Sequence, residues 1–191
     1  NTFIVSFLLI FTTSRPAGLV ICHVKVGCMS QENSPQAPLE LCVIEGDGIG
    51  REVIPAAVEV LMHVAPDVII RPMEAGWGYF QKHKTPLPDE TIQVARECKA
   101  ILFGAVSSPA YPVEGYFSPI VRLRRTLQAF ANLRPAQHLP VPTSREGVDM
   151  LIVRENTEDL YIGHEHTEDE GQTGIAEKVI TRDATERVTK L

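Results

Sequence analysis

The sequence predicts an α/β fold, a mostly parallel sheet with flanking helices. From Leu39 onward, short apolar runs alternate with stretches in which apolar residues recur at helical spacing. A glycine-rich turn, Gly46-Asp47-Gly48-Ile49-Gly50, stands between the first such run and the first such stretch. With 191 residues, 44% of them hydrophobic and 22% charged, the chain has apolar material for one medium domain, or for one domain and part of a second.

Residues 1–38 differ from the rest and read as a leader. Residues 3–11 form an apolar run, Thr12-Thr13-Ser14-Arg15-Pro16 breaks it, and residues 31–38 are polar and proline-rich. The run is far shorter than the ~20 residues that span a bilayer. Three readings stay open: the apolar part of a signal peptide, translated sequence upstream of Met29, or an organellar transit peptide, since residues 1–31 hold Arg15 and Lys25 but no Asp or Glu.

Residues 39–44 read as a buried strand, and after the glycine turn Val53, Ala57, Val60, Leu61 and Val64 mark a helix. Residues 68–70 suggest the next strand, residues 90–97 a helix behind Pro88, and residues 100–103 a strand that stops at Gly104. Ser118 before Pro119 is a helix start, because serine can cap free N–H groups and proline tolerates the first helical position. Ile120, Leu123, Leu127 and Phe130 would form that helix's apolar face. The apolar run 148–153 predicts a fully buried strand, with Arg154-Glu155-Asn156 at its end, where ligand groups commonly sit. Residues 184–191 read as a helix cut short.

A net charge of −6 argues against a footprint on nucleic acid or on anionic lipid, both of which need a basic face. Cys22, Cys28, Cys42 and Cys98 form no C-x-x-C pair and read as reduced thiols rather than as bridges or a zinc site. His164 and His166 flank Glu165 in an acidic segment that continues to Glu170; without a further ligand pattern this reads as a solvated loop.

The glycine turn alone lacks the G-x-G-x-x-G spacing and is more often a plain turn than a cofactor loop. The arginines say more. Arg124 lies in the helix after Ser118, Arg134 beyond its end, and Arg154 at a strand end. An arginine there must find an acceptor. For one arginine that is an ion pair with Glu155, Glu158 or Asp159. Three gathered by the fold would instead grip several carboxylates, since guanidinium binds carboxylate bidentately. Tyr161 follows closely; a tyrosine beside arginines is a candidate proton donor, as positive charge favours the anion left behind. Its plainer reading is a packed aromatic.

Together these segments resemble the isocitrate, isopropylmalate and homoisocitrate dehydrogenase family. The resemblance runs through residues 46–50, Gly104-Ala105-Val106-Ser107-Ser108-Pro109, Leu123-Arg124-Arg125, Phe130-Ala131-Asn132-Leu133-Arg134-Pro135, residues 152–161, Ile180-Thr181-Arg182 and Ala184-Thr185-Glu186-Arg187. It implies that Arg124, Arg134 and Arg154 grip substrate carboxylates and that Tyr161 donates a proton. It also implies that Ser108 touches substrate, that Val106, Ser107 and Ser108 border the nicotinamide of NAD, and that Ile49 is an apolar cofactor neighbour. Residues 113–121 are most similar to the homoisocitrate dehydrogenases of fungal lysine synthesis, with Val121 where some members carry arginine and Arg122 next to it. The implied reaction is NAD-dependent oxidative decarboxylation of homoisocitrate to 2-oxoadipate, with isocitrate, 3-isopropylmalate and tartrate as other substrates and a non-catalytic binding subunit or dead fragment as the alternative. The resemblance further implies Mg²⁺ or Mn²⁺ held by aspartates, and a lysine base, both past Leu191. It places the first part of a large dinucleotide-binding domain at 39–129 and the start of a small dimerisation domain at 130–191. Its partners would be a small polycarboxylate and a second copy of the chain, with no nucleic acid and no membrane, in the mitochondrial matrix or the cytoplasm.

Overall fold

The computed structural model describes residues 38–191 in full and, before them, the strand backbone at 8–11 and 20–22. One seven-stranded sheet dominates. Its strands in chain order are β1 (Leu8–Phe11), β2 (Val20–Cys22), β3 (Glu40–Gly46), β4 (Ile69–Met73), β5 (Ala100–Ala105), β6 (Ala131–Gln137) and β7 (Asp149–Glu155), arranged β4-β3-β5-β1-β2-β6-β7. β4, β3, β5, β2 and β6 run one way and β1 and β7 the other, so the sheet is mostly parallel. The helices are α1 (Gly50–Val64), α2 (Trp77–His83), α3 (Asp89–Glu97), α4 (Pro119–Thr126) and α5 (Arg182–Thr189), and a separate hairpin joins β8 (Glu165–Glu168) to β9 (Thr173–Ala176).

β3 is apolar from Leu41 to Ile44 because both its faces are covered. Leu41 and Val43 pack with Leu102 against Ile54, Ala57 and Leu61 of α1. Cys42 and Ile44 point the other way and pack with Ile101 and Phe103 against Val94 and Ala95 of α3 and Leu123 of α4. Burial pushes the Cys42 thiol up to about 12, and Cys42 and Cys98 are both free and buried. β4 tolerates Pro72 because it is an edge strand.

Several expectations need correction. The strand at 149–155 forms but is not fully buried: Met150, Leu151 and Ile152 are 52%, 55% and 48% exposed, so residues on both faces of this edge strand stay open. Ser118 occupies the cap position of α4, yet its side chain makes no capping hydrogen bond. The helix ends at Thr126, Gln128 turns left-handed at φ 52°, and buried Phe130 leads into β6 rather than continuing the helix's apolar face. The acidic segment around His164 is exposed but ordered as β8 and β9, not a loop. Nothing in the sequence reading anticipated α2 or β6. Of residues 1–38, set apart as a leader, the two described strands pair into the sheet between β5 and β6, and apart from Pro38 the rest lies outside the described residues. Among the described residues no helix is long and apolar enough to cross a membrane.

Candidate functional site

Two clusters of polar groups stand out, one at the carboxyl ends of β3 and β5 and one beside the β6–β7 pair. The first lies where β3 and β5 end side by side, with Gly46 and Ala105 in register. The chain leaves β3 for β4 on one side and returns to β5 on the other, and such a reversal opens a crevice at the strand ends. Asp47 organises it. Its buried carboxylate accepts from Trp77 N–H at 2.7 Å, Gly78 N–H at 2.8 Å and Ser107 N–H at 3.0 Å, while its own N–H donates to the Ala105 carbonyl at 2.7 Å. Asp47 thus supplies the negative group that the first turn of α2 lacks in its own sequence. Gly76, at φ 121°, permits this: a Cβ there would lie 2.4 Å from Asp47 Oδ2.

The edge so built carries Ile49, Val106, Ser107 and Ser108. Ile49 is 54% exposed, Ser107 and Ser108 are exposed, and Val106 is half-buried against the core. The first amides of α1 are already used, since Gly50, Arg51 and Glu52 donate to the carbonyls of Asp47, Gly48 and Ile49. The turn therefore offers a ligand the Ile49 side chain rather than a cradle of free N–H groups at these positions. Tyr116 joins the loop before α4 to this edge: its hydroxyl donates to the Ser107 carbonyl at 2.7 Å and its ring packs edge-on against Trp77 and Phe80. Burial pushes the Tyr116 phenol up.

The second cluster gathers Arg124, Arg134, Arg154 and Tyr161. In the β6–β7 ladder Asn132 lies opposite Arg154, so Asn132, Arg134 and Arg154 share one face of the sheet. Asn132 holds Arg134 by accepting from Nε at 3.2 Å. Arg154 donates to the Tyr161 hydroxyl at 2.5 Å, its guanidinium 5.3 Å from the ring centre. Arg124 comes from α4; burial holds it below its ordinary value, Tyr161 opposes this, and the charges of Arg154 and Arg134 add to it. Its Nε is buried with no hydrogen-bond partner. Among the described residues none of the three pairs with a carboxylate, so the simple ion pair to Glu155, Glu158 or Asp159 is absent. Arg122 points elsewhere, over the Phe117 ring at 5.3 Å.

Tyr161 sits in a short 3-10 turn, Leu160–Ile162, at the end of a loop fixed by its own carboxylates. Glu155 accepts from the N–H groups of Thr157 and Glu158, both at 2.8 Å, and from the Thr157 hydroxyl at 2.6 Å. Burial raises the Glu155 carboxyl, but these donors outweigh it and hold it below its ordinary value. Glu158 in turn accepts from the N–H and hydroxyl of Thr181 at 2.7 and 2.6 Å. Sequence reading missed Asp47, Tyr116, Glu155 and Glu158 as parts of the site. Asp47 sat in the quoted glycine turn, and the run from Arg154 to Tyr161 was the signal for the two glutamates. His164 and His166 lie 3.2 and 3.3 Å from Glu177 and Glu168 on the exposed hairpin, and among the described residues no three His, Cys, Asp or Glu side chains are placed to hold a metal ion.

Comparison with known proteins matches residues 40–191 to the family described as isocitrate/isopropylmalate dehydrogenase. The isocitrate/homoisocitrate dehydrogenase of Thermus thermophilus is 48% identical over 148 residues, covering 78% of this chain and 44% of the relative. The homoisocitrate dehydrogenase of Methanocaldococcus jannaschii is 42% identical over 164 residues, 80% of this chain and 46% of the relative. The crystal structure of isocitrate dehydrogenase from Methylococcus capsulatus superposes with a TM-score of 0.73 at 34% identity, covering 80% of this chain and 45% of that one. The chain thus spans under half the length of these relatives.

Proposed function

We propose, since the chain belongs to the isocitrate/isopropylmalate dehydrogenase family, that its arginine cluster binds a 2-hydroxy tricarboxylic acid, homoisocitrate, for NAD-linked oxidation and decarboxylation. The observation that carries this is the set of three guanidiniums without a carboxylate among them, one with a buried, unpaired Nε. Such a set costs free energy in the empty protein and recovers it when an anion with several carboxylates arrives. Two of the similar relatives carry homoisocitrate in their names, one of them together with isocitrate, which supports a tricarboxylate.

Arg124, Arg134 and Arg154 would bind the carboxylates by paired N–H donors and so fix the hydroxyl-bearing carbon in place. The edge formed by exposed Ile49, Ser107 and Ser108 and half-buried Val106 fits the flat apolar face and amide of a nicotinamide, with open space above Gly48. With a nicotinamide dinucleotide held there to take the hydride from the hydroxyl-bearing carbon, and the lysine base implied past Leu191 to take the hydroxyl proton, the substrate hydroxyl would become a ketone. Ser108 would contact the substrate beside it. Once the carboxylate on the carbon beside the new ketone leaves as CO₂, its bonding pair remains on that carbon as an enolate, and the Tyr161 O–H would protonate the same carbon. The residues described include no ligand set for the expected divalent cation, so no step here runs through one.

Calorimetry of the chain with homoisocitrate, isocitrate and 3-isopropylmalate tests the reading. The tricarboxylates should bind at least tenfold tighter than the dicarboxylate, about 1.4 kcal/mol. Arg124→Met should remove that preference without lowering the melting temperature, because it deletes a desolvated charge. Failure of all three acids to bind would refute the assignment.

A further inference from the structure

We propose that Arg187 on α5 is a positioning residue for Arg154 and Tyr161, holding the turn at residues 155–161 through the Glu155 carboxylate. This rests on the substrate reading above only for what the turn positions. Arg187 does not belong to the arginine cluster: its guanidinium lies 4.4 Å over the Phe130 ring, its Nη2 is 3.5 Å from Glu155 Oε1, and it donates to Thr157 Oγ1 at 3.3 Å.

Those three contacts join pieces of chain that carry different parts of the site. Phe130 lies between α4, which bears Arg124, and β6, which bears Arg134. Its carbonyl accepts from Asn156 N–H at 2.7 Å, directly after the strand end that bears Arg154. Thr157 and Glu155 begin the turn that ends at Tyr161. One planar cation therefore stacks on the first piece and bonds to the second. Both polar contacts come from Nη2, so a lysine ammonium could supply them, but it lacks the flat face that packs on the ring.

The Glu155 carboxylate already takes three donors from its own turn, and Arg187 adds the only cation that pairs with it among the described residues. The Arg187 Nε is buried without a partner. For packing on Phe130 alone an apolar side chain would serve without that unpaired donor. What the guanidinium adds is a fixed charge at Glu155. A loosened turn would shift the Arg154–Tyr161 pair, and in a site that works by orientation a displacement of ~1 Å costs up to ~100-fold.

The test compares Arg187→Met, Arg187→Lys, Glu155→Gln and the double variant Arg187→Met/Glu155→Gln, by amide hydrogen exchange and by calorimetry with homoisocitrate. Arg187→Met keeps an apolar chain on Phe130. It should speed exchange at the Thr157 and Glu158 amides at least tenfold while the β3 and β5 amides stay unchanged, and weaken homoisocitrate about tenfold. Arg187→Lys should fall between, and it gives the same readout if the methionine variant does not fold. If Arg187 acts through Glu155, the double variant should be no worse than Glu155→Gln alone. Unchanged exchange at Thr157 and Glu158, or effects that simply add, would overturn the proposal. Should the unaltered chain bind no homoisocitrate, the substrate reading falls, and the exchange measurements, which need no ligand, still decide the role of Arg187.

Discussion

At the scale of single residues, charges here are arranged in two opposite ways. Arg124, Arg134 and Arg154 crowd together with no carboxylate among the described residues, whereas Glu155 is surrounded by donors that favour its ionised form. The second arrangement makes a pH prediction. Because the folded carboxyl is held below its ordinary value of 4.5, Glu155 stabilises the protein fully above that pH, and the contribution is lost as pH falls through the lowered folded value. Thermal melts of the wild type and Glu155→Gln should therefore differ by a constant amount above pH 4.5 and converge in more acid solution. A gap that widened on acidification would mean that the donors favour the neutral acid. The arginines were legible in the sequence because charge beside an apolar run is a local anomaly. Asp47 and Arg187 were not, because the groups that define their roles, the first amides of α2 for Asp47 and Thr157 for Arg187, lie 30 or more residues away.

Secondary-structure elements were legible in proportion to how locally they are specified. β3 and α1 carry their own patterns and formed where those patterns put them. α2 has seven residues and no acidic first turn, and it depends on Asp47 from another element to receive its first N–H groups. β6 alternates apolar and polar residues only from Ala131 to Pro135, includes the strand-averse Asn132 and Pro135, and is fixed by pairing with β2 and β7. The dependence of α2 is testable at Gly76, where a methyl group would strike Asp47 and the backbone is left-handed. Gly76→Ala should cost about 1–3 kcal/mol in denaturant titrations. Gly174→Ala, where a Cβ meets nothing within 4 Å, should stay within about 0.5 kcal/mol. Equal effects at the two positions would show that the Asp47 linkage carries no stability.

Across the whole molecule the two edges of the sheet differ. β4 ends it with Arg71 paired to Glu40 and Glu97 at 3.3 and 2.9 Å, and with Pro72. β7 ends it with Met150, Leu151, Ile152 and Val153, each at least 38% exposed. An edge that is both unpaired and apolar invites association with another surface. The chain should therefore self-associate in sedimentation at rising concentration, and Leu151→Lys with Val153→Lys should shift it toward monomer. These two residues alternate with Ile152 and Arg154, so the change leaves the arginine face alone. A wild type that stays monomeric throughout would show that β7 is protected in solution.

The residues from Leu39 to Leu191 determined by themselves the α/β class, the run of strand, turn and helix at residues 40–64, and the identity of the four side chains that meet around Arg154. Apolar periodicity and residue chemistry are local properties, so they survive without knowledge of neighbours. Only the tertiary structure decided that β1 and β2 lie between β5 and β6, that β7 is exposed, and that Arg154 faces Tyr161 and Arg134 rather than a carboxylate. Each of those outcomes depends on which distant segment covers a face or meets a charge. A chain's local pattern states that an apolar strand needs a cover and an arginine needs an acceptor; the fold selects which one each receives.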